Sequence, residues 1–365
     1  MSRLSWLMLA THVPASGRSG GMVRYVVELA RELAIHPEVD LSILTTPGTR
    51  PFFTDLVGRE DRVHVLPPLP TAVRSLLERP GWAVPVYQRS FDVVHGTKHL
   101  LPRAGRSRRV LTVHDLLPID RPQDFPWLKR RALVGPYRAS IRAADVLLCV
   151  SAATRQRLVQ DQPSAARRAV VVPLAMSSTL RSVTPRPVPE LLNRRFALVV
   201  GDASPRKNLA VVVAAWEQVT AQEPDAVLAF IGPSGWGVDE RGDRFDRLVA
   251  SGAILPLGAV GDDVLRWCYE HTRVVACPSL LEGFGLPSIE ALHFDAPLVT
   301  STDAALVEAS GSAAEHLPPH DVNSWAGALV RRIAVPRPSP KPRPSRTWAA
   351  VADESVRAVL DGWTP

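Results

Sequence analysis

Short apolar runs alternate with longer amphipathic stretches along this chain, and the alternation starts over part-way through. The runs Leu4–Ala10, Val39–Thr45, Val63–Leu66, Val93–His95, Val110–His114, Val146–Val150 and Val170–Pro173 read as strands, each too short for a helix. Between them, Gly21–Ala34 carries Val23, Val26, Val27, Ala30 and Leu33 on one helical face, and Ser151 can cap a helix reaching about Gln160. Ser177–Pro189 has no periodicity and is rich in serine, proline and arginine, so it reads as a linker. The pattern then resumes. Strands are expected at Phe196–Val200, Val227–Ile231, Ile254–Leu257, Val274–Cys277 and Leu298–Thr300, with helices at Asn208–Thr220, Asp262–His271 and Pro287–His293. Strand–helix alternation of this kind makes parallel sheets covered on both faces. The expected fold is α/β, two Rossmann-like domains facing across a cleft. The N-terminal domain would span 1–176, the linker 177–189 and the C-terminal domain 190–334. A proline-rich segment, 335–345, would lead to a closing helix in 346–365, where Trp348, Val351, Val356 and Val359 are available to pack.

With 365 residues, 46% of them hydrophobic and 22% charged, the chain can fill two ordinary cores. No apolar run is long enough to span a membrane. Leu4–Ala10 is read as a strand rather than a signal segment, since only Arg3 precedes it and no cleavage pattern follows. Cys149, Cys268 and Cys277 lie far apart in apolar runs, which points to buried reduced thiols and a cytoplasmic setting. The net charge is +7, with basic clusters at Arg103, Arg106, Arg108 and Arg109 and at Lys129, Arg130 and Arg131. These can be a solvated surface, or can meet an anionic membrane surface or substrate. No recognition helix or aromatic platform accompanies them, so no nucleic-acid partner is expected.

Four segments carry chemistry. In EGFGLPSIEAL, a glycine-bearing turn of Glu282, Gly283, Phe284, Gly285 and Leu286 follows a strand and precedes a helix that Pro287 opens. Glycines at a helix start let backbone N–H groups approach a phosphate. The carboxylates of Glu282 and Glu290 would be repelled there unless they met hydroxyls, as on sugar or ribose. In GDASPRKN, Gly201 permits a tight turn and Arg206 and Lys207 can reach a diphosphate, so that no metal is required. Gly20 and Gly21 precede the first long helix, and His114 and Asp115 end a strand on the side where such sheets bind ligands. Taken singly, each has a plainer reading as a turn, a structural pair or a solvated charge.

Together they resemble the retaining glycosyltransferases of family 4, which have the GT-B fold. The match carries over nearly the whole chain. It rests on Glu282-x7-Glu290, on Arg206-Lys207-Asn208, on the glycine pair, on Val113-His114-Asp115 and on Val150-Ser151-x-x-Thr154. The resemblance implies that Glu282 lies against the donor sugar and Glu290 binds the nucleotide's ribose. It implies that Arg206 and Lys207 hold the diphosphate. Gly283, Phe284, Gly285 and Leu286 would line the pocket, His114 would contact the transferred sugar, and Gly20 and Gly21 would approach the phosphates. It implies a nucleotide-sugar donor, a glycan or lipid-linked acceptor, a front-face transfer and no cofactor or metal. Ile231–Trp236 (IGPSGW) and VHDLLP are similar to the mannosyltransferase branch, which favours GDP-mannose, with UDP-hexoses and dTDP-rhamnose open. Leu174-Ala175 departs from the family's usual Asn-Gly. The alternatives are a non-catalytic nucleotide-sugar-binding protein, a sugar-nucleotide epimerase of the same fold, and a glycogen-type synthase, for which the chain is short. Attachment to the inner membrane leaflet remains an expectation from charge alone.

Overall fold

A computed structural model of the chain describes residues 3–14, 20–66, 91–102, 106–233, 242–339, 346–361 and 363. Contacts divide the chain into two compact units, Met1–Leu174 with Arg346–Pro365, and Ala175–Ser345.

In the N-terminal unit the aliphatic runs form β1 (Leu4–Leu9), β2 (Val39–Thr45), β3 (Val63–Val65), β4 (Val93–Gly96), β5 (Arg108–Val113), β6 (Val146–Cys149) and β7 (Ala169–Val171). They make one parallel sheet in the order β3-β2-β1-β4-β5-β6-β7. Most of their side chains are buried, because helices cover both faces of such a sheet. The helix Gly20–Ile35 buries Val23, Val26, Leu29 and Leu33. The helix Ala152–Asp161 is capped by Ser151, whose Oγ accepts from Thr154 N. The closing helix Trp348–Leu360 buries Trp348, Val351, Val356 and Val359 within this same unit, packed on Gly20–Ile35.

In the C-terminal unit β8 (Phe196–Val200), β9 (Val227–Ile231), β10 (Ile254–Gly258), β11 (Val274–Cys277), β12 (Leu298–Ser301) and β13 (Ala314–Leu317) form a second parallel sheet, ordered β10-β9-β8-β11-β12-β13. Each sheet reverses its strand order once, between β1 and β4 and between β8 and β11. Loops leaving the carboxyl ends of the strands part at such a point and leave a crevice. Close approach of the loops that leave neighbouring β8 and β9 requires glycine: a Cβ on Gly232 would lie 1.7 Å from the carbonyl oxygen of Gly201.

Several expectations need correcting. The stretch read as a linker, 177–189, is packed structure. It holds the helix Ser178–Ser182, capped by Ser177, and Leu180 and Val188 enter the core of the C-terminal unit. These two apolar side chains among mostly exposed polar neighbours carry no periodicity in sequence, yet they anchor the segment to the core. Helices at Trp127–Ala143 and Val322–Ala334 and the edge strand β13 were not anticipated. Within the basic clusters, Arg109 forks onto Asp145, and Arg108 donates to the carbonyl of Asp361 and lies over Trp363, so both are structural. Ser19, Arg103, residues 234–236 of the IGPSGW stretch and 340–345 of the proline-rich segment lie outside the described residues, as does the side chain of Lys129. No helix among the described residues is long and apolar enough to cross a membrane.

Candidate functional site

At the β8/β11 reversal the loop 201–208 meets the loop 278–285. Leu280 N donates to the Arg206 carbonyl at 2.7 Å. Asn208 takes left-handed backbone angles and its Nδ2 donates to the carbonyls of Pro278 (3.1 Å) and Pro319 (2.7 Å). Asparagine tolerates that conformation better than most residues, so one side chain both turns the chain and ties the loops together. Gly285 precedes the helix Leu286–His293 with φ +84°, and a Cβ there would strike Leu306 Cδ2 at 2.7 Å. Glycine is required on both counts.

These ties set three charged side chains together. Lys207 Nζ donates to Glu282 Oε1 at 2.6 Å, and Arg206 Nη1 donates to Oε2 at 3.1 Å. Ser279 Oγ also donates to Oε1, at 2.7 Å. Lys207 and Glu282 are each only 11% exposed. Burial alone would push the Glu282 carboxyl up, but Lys207 and Arg206 outweigh it and hold the group at about 2. Nearby Asp303 accepts from the N–H groups of Ala305 and Leu306 at the start of their helix. Burial, and then the charge of Glu282, push its carboxyl up to about 6. Burial likewise raises the Cys277 thiol to about 11, which makes it a poor nucleophile. Gly201, Lys207, Cys277, Pro278, Glu282 and Leu306 line a small cavity. Two cations, a glycine turn and a helix start make it suited to an anion, with a carboxylate already inside.

Glu290 lies on the helix Leu286–His293 and is buried, its Oε2 accepting from the Tyr269 hydroxyl at 2.9 Å. The half-buried turn of Gly283, Phe284 and Leu286 separates it from Glu282.

In the N-terminal unit His114 follows β5, and its Nε2 lies 3.0 Å from the Thr97 carbonyl. A carbonyl only accepts, so Nε2 carries the proton and neutral His114 keeps Nδ1 as an acceptor. Burial lowers its pKa, offset in part by the Thr97 bond. The Tyr25 ring meets it edge-on at 4.8 Å, and the Tyr25 hydroxyl is bonded to Thr112 Oγ1 at 2.7 Å. Asp115 turns to the backbone, accepting from Leu117 N. Gly20 and Gly21 begin the first long helix of this unit.

Residues 19–177 match the model of Glycosyltransferase Family 4, and residues 194–334 match that of Glycosyl transferases group 1. The chain belongs to the family 4 glycosyltransferases. It is similar to O-antigen chain mannosyltransferase B of Escherichia coli, 27% identical over 333 residues, which cover 86% of this chain and 87% of that protein. Among solved structures it is similar to sucrose-phosphate synthase from Thermosynechococcus elongatus, with a TM-score of 0.68 at 19% identity over 98% of this chain and 95% of that one. Anabaena HepE, solved in complex with UDP and glucose, gives 0.65 at 17% identity with the same coverage. At such identities these structures speak for the fold, which is GT-B.

Within this glycosyltransferase, sequence reasoning missed the neighbours that hold the charged groups. Ser279 sits three residues before Glu282 and was legible only as part of a loop. Tyr269 is an apolar-face residue of its helix, and nothing in its spacing announces a hydroxyl aimed at Glu290.

Proposed function

We propose that this glycosyltransferase moves a hexose from a nucleotide-sugar, with GDP-mannose the favoured donor, to a glycan or lipid-linked acceptor, with retention of configuration and without a metal. The observation that carries the reading is the pairing of Lys207 and Arg206 around Glu282 at the β8/β11 reversal. The two cations supply the charge that a leaving diphosphate needs. Glu282 holds them in register before the donor arrives and faces the sugar once it has. Glu290 takes the ribose hydroxyls, and Gly283, Phe284, Gly285 and Leu286 line the path between. In the N-terminal unit, Gly20 and Gly21 would offer backbone N–H groups to an anion, and His114 would accept from a sugar hydroxyl through Nδ1. As the bond from C1 to the phosphate oxygen breaks, the acceptor oxygen bonds C1 on the same face, and its proton passes to the departing phosphate.

The mannosyl preference is supported by the likeness to the Escherichia coli O-antigen mannosyltransferase. The complex of HepE with UDP and glucose makes UDP-glucose the principal competitor. The same reading puts the enzyme in the cytoplasm, resting on the inner leaflet through exposed Arg106, Arg130 and Arg131. A thermal-shift screen of GDP-, UDP-, ADP- and dTDP-sugars tests the donor, since a ligand of the folded state raises its melting temperature. Stabilisation by GDP-mannose above the others, and an α-linked product from it, are expected. A shift with UDP-glucose alone would replace the mannosyl reading, and no shift with any of them would remove the transferase site.

A further inference from the structure

Glu290 is held by more than its own helix. The Tyr269 hydroxyl, fully buried, donates to Glu290 Oε2 at 2.9 Å. Tyr269 lies on the helix Asp262–His271, and its ring stacks on Phe294, which ends the helix carrying Glu290, at 5.8 Å and 14°. Beyond the last helix of the C-terminal unit, Arg337 closes the arrangement. Its Nη1 donates to the Tyr269 carbonyl at 2.5 Å, and its Nη2 donates to the carbonyl of Phe294. A guanidinium is a rigid fork with its donors at fixed spacing, so Arg337 fixes the distance between the two helix ends. It also places positive charge where carbonyls at a helix end favour it.

We infer that Tyr269 and Arg337 are positioning residues for the nucleoside end of the donor. Tyr269 fixes the plane of the Glu290 carboxylate, and Arg337 clamps the two helices that bring tyrosine and glutamate together. The inference rests on the proposed role of Glu290 at the ribose. A carboxylate on a flexible chain reaches both hydroxyls of a ribose only in a narrow range of rotation, and the tyrosine bond to Oε2 restricts that rotation before binding. Tyr269 lies on the helix between β10 and β11, outside the Glu282–Glu290 motif. Arg337 lies on the segment that leads out of the unit. The clamp therefore connects the donor's nucleoside end to the start of the chain's return to the N-terminal unit.

The test is calorimetry with GDP, UDP, their 2′,3′-dideoxy forms and pyrophosphate, on the parent, Tyr269→Phe, Arg337→Lys and Glu290→Gln. Tyr269→Phe loses one hydroxyl and should bind the nucleoside diphosphate about 3- to 10-fold more weakly, the worth of one such bond. Its affinity for pyrophosphate and for the dideoxy nucleotide should match the parent's. Arg337→Lys keeps the charge and loses the fork, so it should show the same selective loss, and combining it with Tyr269→Phe should add little. In transfer assays both should raise donor KM and leave kcat near the parent's. Equal weakening toward pyrophosphate would mean a merely structural role and overturn the inference. So would unchanged nucleotide affinity in Tyr269→Phe while Glu290→Gln loses it. If Glu290→Gln itself binds the nucleotides like the parent, or neither nucleotide binds the parent, the ribose assignment falls instead, and the inference with it.

Discussion

Replacing Glu282 with glutamine separates its charge from its shape. The carboxylate accepts from Lys207, Arg206 and Ser279 at 2.6 to 3.1 Å. A displacement from 4.5 to about 2 corresponds to roughly 3 kcal/mol in favour of the charged form, at 1.36 kcal/mol per unit. Glutamine forgoes that term and leaves two mostly buried cations facing a neutral amide. The empty variant should therefore lose on the order of 2 to 3 kcal/mol of stability. A diphosphate entering the site wants the same cations that Glu282 occupies. Two unit charges about 5 Å apart at an effective dielectric near 20 repel by about 3 kcal/mol. Removing the carboxylate should thus tighten free GDP or UDP by about tenfold or more, while transfer slows by about 100-fold because the sugar loses its partner. Calorimetry with the nucleoside diphosphates, beside a transfer assay, reads both effects. Adding pyrophosphate should restore the lost melting temperature. If the variant binds nucleoside diphosphates as the parent does or more weakly, the carboxylate is not competing for the cations and the electrostatic reasoning is wrong.

Arg206→Ala and Lys207→Ala should each weaken donor binding by about 2 kcal/mol or more, and transfer should survive EDTA; loss of activity on chelation, restored by manganese, would show that a metal shares the task. Burial holds His95 at about 3, His99 at about 4 and His114 below its usual 6.5. The unfolded chain takes up protons below pH 6.5 that these folded histidines refuse, so stability should fall as pH drops from about 7 toward 4, with a slope of up to about 1.4 kcal/mol per pH unit for each histidine. Urea unfolding at pH 7.5 and 5.0 measures it, and equal midpoints would contradict the assignment. Trp127 is 64% exposed and Arg131 lies over its ring at 5.9 Å. Vesicles of anionic lipid should therefore sediment the protein at low salt, and Trp127→Ala should weaken that binding; binding to neutral vesicles alike would count against the membrane proposal.

Both sheets were legible because parallel strands are buried on two faces and so read as continuous aliphatic runs, as Phe196–Val200 and Val227–Ile231 do. β13, with Glu315 and His316 in its short edge strand, has no such run and was missed. Trp127–Ala143 hid for another reason: Pro136 and scattered arginines blur its helical period. At the site, the glycines and charges of the two loops could be picked out one by one. The pairing of Glu282 with Lys207 could not, because it joins residues 75 positions apart and depends on the strand order, which is fixed only when the sheet forms. Tyr269 beneath Glu290 was invisible for the same reason.

The return of Trp348–Leu360 to the helix Gly20–Ile35 has a consequence during synthesis on the ribosome. The C-terminal unit is one continuous stretch, Ala175–Ser345, and can close its core as soon as it has emerged. The N-terminal unit, although translated first, must wait with the Tyr25 and His36 side of the helix Gly20–Ile35 uncovered until the helix Trp348–Leu360 arrives to set Trp348 against Tyr25 and Asp353 against His36. The half made second is thus able to finish first, and a nascent chain stalled before Trp348 would carry a completed C-terminal unit beside an unfinished partner with an adhesive apolar face.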